Sequence, residues 1–269
     1  MLSEGVWGGA QRVYSERGTE GSNPSLSAIA SKKAPPNGGA FVFLPGNRCL
    51  MDPSSASWQT KPTDRFILKW IKVHLSARVT PHLAARQGLE PWMVTVTSAA
   101  LGVLGGILFG LGWGFAAGWT AAAAQVLDGV DGQLARLRDC QSTGGAFWDS
   151  VLDRYADGAM VIGMTVYLAR PPVSLPTTVL LFLGAAALIG SNLISYTTAR
   201  AATLRLSMGP PTLASKGTRT SVMILSAWAS LLWPPAPLLA LVYLAVHTNA
   251  VVWLRLRRAR EASQPLDVP

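Results

Sequence analysis

The chain has 269 residues, of which 49% are hydrophobic and only 14% are charged, and its mean hydropathy is +0.30. Soluble domains carry about 25% charged residues, so this composition excludes an ordinary soluble protein and favours an integral membrane protein. The net charge of +9 does not indicate a nucleic-acid partner, because the basic residues stand at the ends of apolar segments, where they set the orientation of a membrane protein.

Residues 1–60 differ in composition from the rest of the chain. Gly, Ser, Pro, Asn and Lys prevail and no apolar period is sustained, so we expect a disordered leader. The tetrapeptide Gly21-Ser22-Asn23-Pro24 can be encoded by a sequence that resembles the conserved T-loop of a transfer RNA gene. This raises the hypothesis that the start is misassigned and that Met51 is the true one; a native N-terminal peptide well upstream of Met51 would contradict it.

Residues 64–86 predict a juxtamembrane amphipathic helix. Phe66, Ile67, Trp70, Ile71 and Leu75 recur at helical spacing, with lysines elsewhere around the helix. This pattern is typical of a helix that lies in the membrane interface. An ordinary surface helix packed on the body of the protein is the alternative.

Six membrane-spanning helices are predicted from residue 92 onward, so the fold class is an all-α integral membrane protein. The spans cover residues 92–111, 113–135, 145–169, 174–199, 219–234 and 236–255. They make residues 92–258 one transmembrane domain, and residues 259–269 a basic-to-polar tail. Lys and Arg concentrate on one side of these spans, and the other side carries only Arg170. This asymmetry predicts a cell-membrane protein with both termini in the cytoplasm.

Four aspartates flank the loop between the second and third predicted spans. Asp128 and Asp131 stand at i and i+3, and Asp149 and Asp153 at i and i+4, so each pair shares a helix face. Carboxylates near membrane depth are costly and indicate a function. Hard oxygen ligands of this kind suit Mg²⁺ or Mn²⁺, and such ions neutralise phosphate oxygens in phosphoryl transfer.

Small and basic residues accompany these aspartates. Gly132 and Ala135 leave a groove beside the carboxylates, and Gly144-Gly145 opens the next helix. A nucleotide can lie against backbone in such a groove, and Arg136 can hold a phosphate. The motif therefore predicts a cytoplasmic site for a phosphate-containing substrate.

The run Asp128-x2-Asp131-Gly132-x2-Ala135-Arg136-x8-Gly145-x3-Asp149-x3-Asp153 resembles the signature of the CDP-alcohol phosphatidyltransferase family. The resemblance implies six transmembrane helices after a juxtamembrane helix, over residues 64–258, and a homodimer. It implies transfer of a phosphatidyl-type group from a CDP-linked lipid donor to a small alcohol, with release of CMP. CDP-diacylglycerol is the preferred candidate for this donor. It also implies site residues: metal ligands Asp128, Asp131, Asp149 and Asp153 for two Mg²⁺ or Mn²⁺ ions; Asp153 as the catalytic base; and CDP contacts from Asp128, Asp131, Gly132, Ala135, Arg136 and Gly145.

The sequence gives weaker evidence for the identity of the acceptor than for the donor. Ser195-Tyr-Thr-Thr-Ala-Arg200-Ala201 resembles the end of the fourth span in family members that use inositol phosphate. Arg200, Lys216 and Arg219 are therefore expected to bind a phosphorylated acceptor, such as inositol phosphate or glycerol 3-phosphate. Basic residues in a cytoplasmic loop are expected from topology alone, and that interpretation stays open. The segment Pro91-Trp92-Met-Val-Thr95 resembles the family's Pro-Asn-x-x-Thr, with Trp92 in place of asparagine.

Three alternatives accompany this interpretation. A CDP-inositol donor would yield a soluble inositol-phosphate diester. A cation-coupled transporter would also place carboxylates in the membrane, but it predicts internal repeats and carboxylates near mid-bilayer, whereas these cluster at one side. A non-catalytic scaffold predicts loss of some aspartates, and all four are present.

Overall fold

A computed structural model of the chain describes residues 42–44, 48–50, 58–60, 66–86, 88–207, 209 and 212–262. Apart from one short hairpin, the regular elements of this described part are helical. The hairpin pairs β1 (Val42–Leu44) with β2 (Arg48–Leu50) in antiparallel register, with Phe43 opposite Cys49. The helices are α1 (Phe66–Ile71), a π-helical turn (Lys72–Ser76), α2 (Ala77–Ala84), α3 (Pro91–Gly110), α4 (Gly114–Leu137), α5 (Thr143–Leu168), α6 (Thr177–Thr203), α7 (Lys216–Ala229), α8 (Ala236–Tyr243), a second π-helical turn (Leu244–Thr248) and α9 (Asn249–Glu261).

The ends of the site-bearing helices follow local sequence signals. Pro91 begins α3, where its missing N–H costs no hydrogen bond. Gly112 has a φ of +97° in the turn between α3 and α4, a conformation that favours glycine. Ser142 caps α5, since its Oγ accepts a hydrogen bond from the Gly145 N–H at 3.0 Å. These short connections hold the C-terminal end of α4 next to the N-terminal end of α5.

The helix α3 packs against α5 through direct backbone contact. A Cβ atom on Gly163 would stand 2.0 Å from the Gly106 carbonyl oxygen, and one on Gly102 would stand 2.6 Å from Ala156 Cβ. Only residues without side chains allow such an approach, as in small-residue contacts between membrane helices. This crossing fixes α5, which carries two of the aspartates, relative to α3.

A second close contact joins α4 to α7. A Cβ on Gly118 would stand 2.5 Å from the Trp228 ring, and α4 and α7 run side by side. The main hydrophobic core lies among α3 to α8 and the turn that follows α8. Its fully buried members include Phe109, Met164, Leu168, Leu180, Met223, Leu241 and Leu244.

Helices occupy the positions of all six predicted spans, but membrane-spanning character is supported for three of them. Among the described residues, Pro91–Gly110, Thr177–Thr203 and Ala236–Glu261 are long and apolar enough to cross a membrane. Two of the others, α4 and α5, carry the charged motif, and α7 has only 14 residues. The described part of the chain is therefore largely helical and has three candidate spans, and the six-span topology stays a prediction.

The predicted amphipathic segment is helical from Phe66 to Ala84, interrupted by the π-helical turn. Trp70 is 56% exposed, whereas Ser76 on the same segment is buried and donates a hydrogen bond to the Val126 carbonyl at 2.8 Å. The face that packs on α4 thus carries polar residues, and the apolar side chains of Trp70 and Leu75 are exposed. The location of this segment at a membrane surface stays a prediction.

Most of the predicted leader, residues 1–60, lies outside the described residues. The prediction that this part is disordered is therefore not tested. Where the leader is described, it has local structure: the hairpin β1–β2, and Trp58, which is only 2% exposed. The composition of residues 1–60 gave no sign of this burial, because an isolated tryptophan carries no periodic pattern.

Candidate active site

Three of the four predicted metal ligands converge. One carboxylate oxygen each from Asp128 on α4 and from Asp149 and Asp153 on α5 lie within 4.8 Å of one another. The spacing of four residues places Asp149 and Asp153 on one face of α5, and the packing of α3 against both helices brings that face towards Asp128. We refer to Asp128, Asp149 and Asp153 as the carboxylate cluster.

Lys216, the first residue of α7, reaches into this cluster. Its Nζ atom lies 2.7 Å from Asp128 Oδ1 and 2.5 Å from Asp153 Oδ1. Burial is the largest single influence and lowers the pKa of Lys216, but the combined negative charges of Asp128, Asp153, Asp157 and Asp149 outweigh it and hold the pKa above its ordinary value. The structure thus places Lys216 between two carboxylates, and its expected contact with the acceptor stays a prediction.

Asp131 lies next to the cluster but has different partners. Its Oδ2 accepts a hydrogen bond from Thr95 Oγ1 at 2.6 Å, and its Oδ1 accepts one from the Gly132 N–H at 2.5 Å. Asp131 is 6% exposed, so these bonds orient a buried carboxylate. In the sequence, Thr95 was noticed only as part of a segment that resembles a family motif. Its hydrogen bond to Asp131 could not be predicted, because the two residues are 36 positions apart.

A pocket of about 640 Å³ opens beside the cluster, between the beginning of α3, the end of α4 and the beginning of α5. Five of the six residues predicted to contact CDP line it: Asp131, Gly132, Ala135, Arg136 and Gly145. Asp149 of the carboxylate cluster also lines it. Asp128, the sixth, lines a smaller cavity instead. We call the larger cavity the donor pocket, after the CDP-linked donor that the family resemblance predicts.

Glycine keeps the donor pocket open at Gly132. A Cβ built there would meet the Arg136 Nη1 atom at 3.4 Å and, among the described residues, no other side chain within 4 Å. Any larger side chain would project into the pocket. Trp92, which stands where the family motif has asparagine, also lines it.

Arg136 is held at the edge of this pocket by a contact that the sequence did not reveal. It is 9% exposed, and its Nε donates a hydrogen bond to the Trp58 carbonyl at 2.7 Å. The separation of 78 residues explains why no motif indicated it.

The smaller cavity has a volume of about 40 Å³ and also borders the cluster. Its lining includes Asp128, Asp153, Lys216 and Thr220. Thr95 lines both cavities, and the cluster contributes to the walls of both, with Asp149 in the larger one.

The two arginines predicted to bind the acceptor lie in unlike surroundings. Arg219 is 1% exposed, and it donates to Asp157 Oδ2 at 3.0 Å and to the Ala214 carbonyl at 2.7 Å. Arg200 is exposed near the end of α6. The structure therefore brings Lys216, and not these two side chains, against the cluster.

Arg154 links the cluster to α6. Its guanidinium lies 3.7 Å from Asp153 Oδ2 and 3.9 Å from Asp157 Oδ2, and it donates a hydrogen bond to Ser195 Oγ. These bonds restrain the second carboxylate oxygen of Asp153 while its Oδ1 faces Lys216.

The donor set fits a hard divalent cation. Three carboxylates supply oxygen ligands, which Mg²⁺ and Mn²⁺ prefer, and a positive group of the protein already sits among them at hydrogen-bond distance. Metal binding by the carboxylate cluster is thus supported by its chemistry.

Comparison with known proteins agrees with this geometry. Residues 89–257 match the model of the CDP-alcohol phosphatidyltransferase family. Over 150 residues the chain is 31% identical to a phosphatidylinositol phosphate synthase of Cutibacterium acnes, covering 53% of this chain and 67% of that protein. It is also 31% identical over 137 residues to a bifunctional IPC transferase and DIPP synthase of Thermococcus kodakarensis; this match covers 51% of the chain but spans only 30% of the length of that relative.

The comparison with solved structures also finds structures of a phosphatidylinositol phosphate synthase. The chain superposes on a phosphatidylinositol phosphate synthase of Mycobacterium tuberculosis with CDP-DAG bound, with a TM-score of 0.63 and 26% identity over 72% of this chain and 98% of the other. The complex of that enzyme with manganese and citrate gives a TM-score of 0.64 at 26% identity, over 72% of this chain and 93% of the other.

Proposed function

This chain belongs to the CDP-alcohol phosphatidyltransferase family, whose members are enzymes, and on that premise we propose that it transfers a substituted phosphate group from a CDP-linked donor to an alcohol, with release of CMP. The proposed donor is CDP-diacylglycerol and the proposed acceptor is inositol phosphate, with glycerol 3-phosphate as the next candidate. The process served is phospholipid biosynthesis.

One observation carries this proposal: Asp149 of the carboxylate cluster lines the donor pocket, so the cluster stands at the wall of a cavity large enough for a nucleotide. In the proposed arrangement Asp128, Asp149 and Asp153, together with Asp131 at the pocket edge, hold two Mg²⁺ or Mn²⁺ ions. The manganese complex of the M. tuberculosis relative supports a metal of this type. Bound there, divalent ions neutralise charge on the phosphate oxygens.

The donor pocket is proposed to take the CDP moiety. Asp131 borders the nucleotide, Gly132, Ala135 and Gly145 leave room for it, and Arg136 binds a phosphate oxygen. Asp128, which lines the smaller cavity, is proposed to contact the CDP moiety from the carboxylate cluster. The CDP-DAG complex of the M. tuberculosis relative supports a lipid-linked donor.

The acceptor hydroxyl is proposed to approach the donor phosphate beside Asp153, which lines the smaller cavity. Asp153 takes the proton of that hydroxyl as its oxygen forms a bond to the donor phosphorus, and the bond from that phosphorus to the oxygen of CMP breaks. Lys216 lies beside Asp153 and is proposed to hold the phosphate of a phosphorylated acceptor, with the exposed Arg200 and the buried Arg219 as further candidates. The protons balance, because Asp153 gains the one that the acceptor loses.

A CDP-inositol donor is the second candidate. The similarity to a bifunctional IPC transferase and DIPP synthase favours it, because the name of that relative gives two activities and neither is that of a phosphatidylinositol phosphate synthase. In that case the product would be a soluble diester and the lipid tail would be absent.

The proposed setting is the cell membrane, with both termini and the active site in the cytoplasm, and a homodimer as the assembled form. The one-sided distribution of Lys and Arg supports the orientation. The dimer is implied by the family resemblance, and cross-linking in native membranes would test it.

The purified protein with Mn²⁺ or Mg²⁺ tests the reaction. CDP-diacylglycerol and CDP-inositol would each be offered with inositol phosphate, glycerol 3-phosphate, serine and inositol, and CMP release would be followed. We expect metal-dependent release with CDP-diacylglycerol and inositol phosphate. Release with CDP-inositol alone would favour the second candidate, and no release with either donor would reject both.

A further inference from the structure

A segment that precedes the family domain is bonded to Arg136 at the edge of the donor pocket. The matched family region begins at residue 89, whereas the carbonyl that accepts the hydrogen bond from Arg136 Nε belongs to Trp58. The Trp58 side chain is 2% exposed, so its indole is packed into the protein. A buried ring fixes the main-chain carbonyl of its own residue in space.

A second bond anchors the same segment one residue later. Gln133 Nε2 donates to the Gln59 carbonyl at 2.8 Å and to the Lys72 carbonyl at 2.9 Å, and Gln133 Oε1 accepts from Thr80 Oγ1 at 2.6 Å. Gln133 is fully buried and stands three residues before Arg136, on the same face of α4. Two consecutive carbonyls are therefore held by two neighbouring side chains of one helix.

These bonds constrain the guanidinium of Arg136. With Nε committed to Trp58, Nη1 stays on the side of Gly132, 3.4 Å from where a Cβ of that residue would lie, at the wall of the donor pocket. An arginine otherwise loses considerable side-chain freedom when it binds a phosphate. Fixing it in advance removes part of that cost and strengthens binding.

We propose that Trp58 is a positioning residue for the nucleotide donor: its buried indole sets the carbonyl that orients Arg136 towards the diphosphate of a cytidine nucleotide. The inference rests on the proposed function, and it assigns to a segment outside the family domain a part in donor binding.

The test is CMP and CDP binding to the full-length protein by calorimetry, together with the donor KM and kcat. Trp58→Ala is expected to weaken nucleotide binding about threefold to tenfold and to raise the donor KM with a much smaller change in kcat. Trp58→Phe, which keeps an aromatic ring in the buried position, is expected to recover most of the affinity. The matched control is Trp253→Ala, the same substitution at an exposed tryptophan that contacts Arg257 on α9.

A double variant separates positioning from general stability. In an Arg136→Met background Trp58→Ala should have no further effect on CMP affinity, because its effect passes through Arg136. An equal loss with and without Arg136, or unchanged affinity in a folded Trp58→Ala protein, would overturn the inference. If Trp58→Ala does not fold, Trp58→Leu and Trp58→Phe give the same comparison. A wild-type protein that binds no cytidine nucleotide would reject the proposed function, and this inference with it.

Discussion

Lys216 and Asp128 form an ion pair at 2.7 Å, and the same ammonium lies 2.5 Å from Asp153. The positive charge of the lysine thus occupies the space among carboxylates that would bind a divalent cation. A lysine and a metal ion compete for the same oxygen atoms, whereas a lysine that has moved aside is free to bind an acceptor phosphate.

Replacing this lysine should therefore affect metal and acceptor in opposite directions. Lys216→Met is expected to tighten Mn²⁺ binding about tenfold, or about 1.4 kcal/mol, because the competing charge is gone. It is also expected to raise the KM for a phosphorylated acceptor. Mn²⁺ titration followed by electron paramagnetic resonance and steady-state kinetics measure the two effects. Weaker Mn²⁺ binding in Lys216→Met than in Lys216→Arg would contradict competition.

Asp153 is predicted to be the base, so removal of its charge should stop the reaction and spare nucleotide binding. Asp153→Asn is expected to lower CMP release about 10²–10⁴-fold, the usual contribution of a general base. CMP affinity, measured by calorimetry, should change much less. Asp139→Asn is the control: Asp139 is exposed after α4, and asparagine tolerates its φ of +47°. Comparable CMP release by Asp153→Asn and wild type would rule out this role.

The helices and the cluster were accessible to sequence reasoning because their signals are local. Apolar runs separated by glycine and proline turns predicted six helical segments close to their observed positions. The spacings at Asp128, Asp149 and Asp153 predicted shared helix faces, and two such faces at neighbouring helix ends meet. Proximity of the predicted CDP residues in one pocket follows from the same logic.

The contacts that local signals could not predict are those between distant segments. Lys216 is 88 residues from Asp128, and its topological role as a cytoplasmic basic residue gave no sign that it would enter the cluster. Arg219 fits the same loop pattern, yet it is buried against Asp157. Trp58 belongs to a segment of polar, glycine-rich composition, and only tertiary packing shows that it is buried.

The hydrogen bond from Thr95 to Asp131 is expected to hold that carboxylate at the edge of the donor pocket. Thr95→Val keeps the shape of the side chain but removes the donor, leaving a buried carboxylate with one bond fewer. We expect kcat/KM to fall about tenfold, consistent with about 1.5 kcal/mol for a bond to a charged group. Thr95→Ser retains the hydroxyl and should stay close to wild type. Equal kcat/KM in the valine and serine variants would show that the bond has no catalytic importance.

The backbone contact of Gly106 with Gly163 should determine how α3 and α5 pack. Gly163→Ala would place a methyl group 2.0 Å from the Gly106 carbonyl oxygen, so the helices must move apart. Such overpacking costs about 1–3 kcal/mol and should lower the Tm in detergent by several degrees. Gly110→Ala is the matched control, because its new methyl would meet its nearest atom at an ordinary 3.6 Å. Equal Tm values for the two variants would contradict the close crossing.

The ion pair between Arg219 and Asp157 is expected to stabilise the fold and to have no direct part in the reaction. Arg219 is 1% exposed and Asp157 is 7% exposed, so loss of one partner leaves a buried charge without its counter-ion. Asp157→Ala should therefore cost about 3–5 kcal/mol of stability. The double variant Asp157→Leu/Arg219→Met, which replaces both charges by apolar groups, should recover much of that loss, because a buried pair gains little over well-packed side chains. Thermal unfolding in detergent measures both effects. If Asp157→Ala is as stable as wild type while Arg219→Met alone raises the acceptor KM, Arg219 serves the acceptor and its bond to Asp157 is incidental.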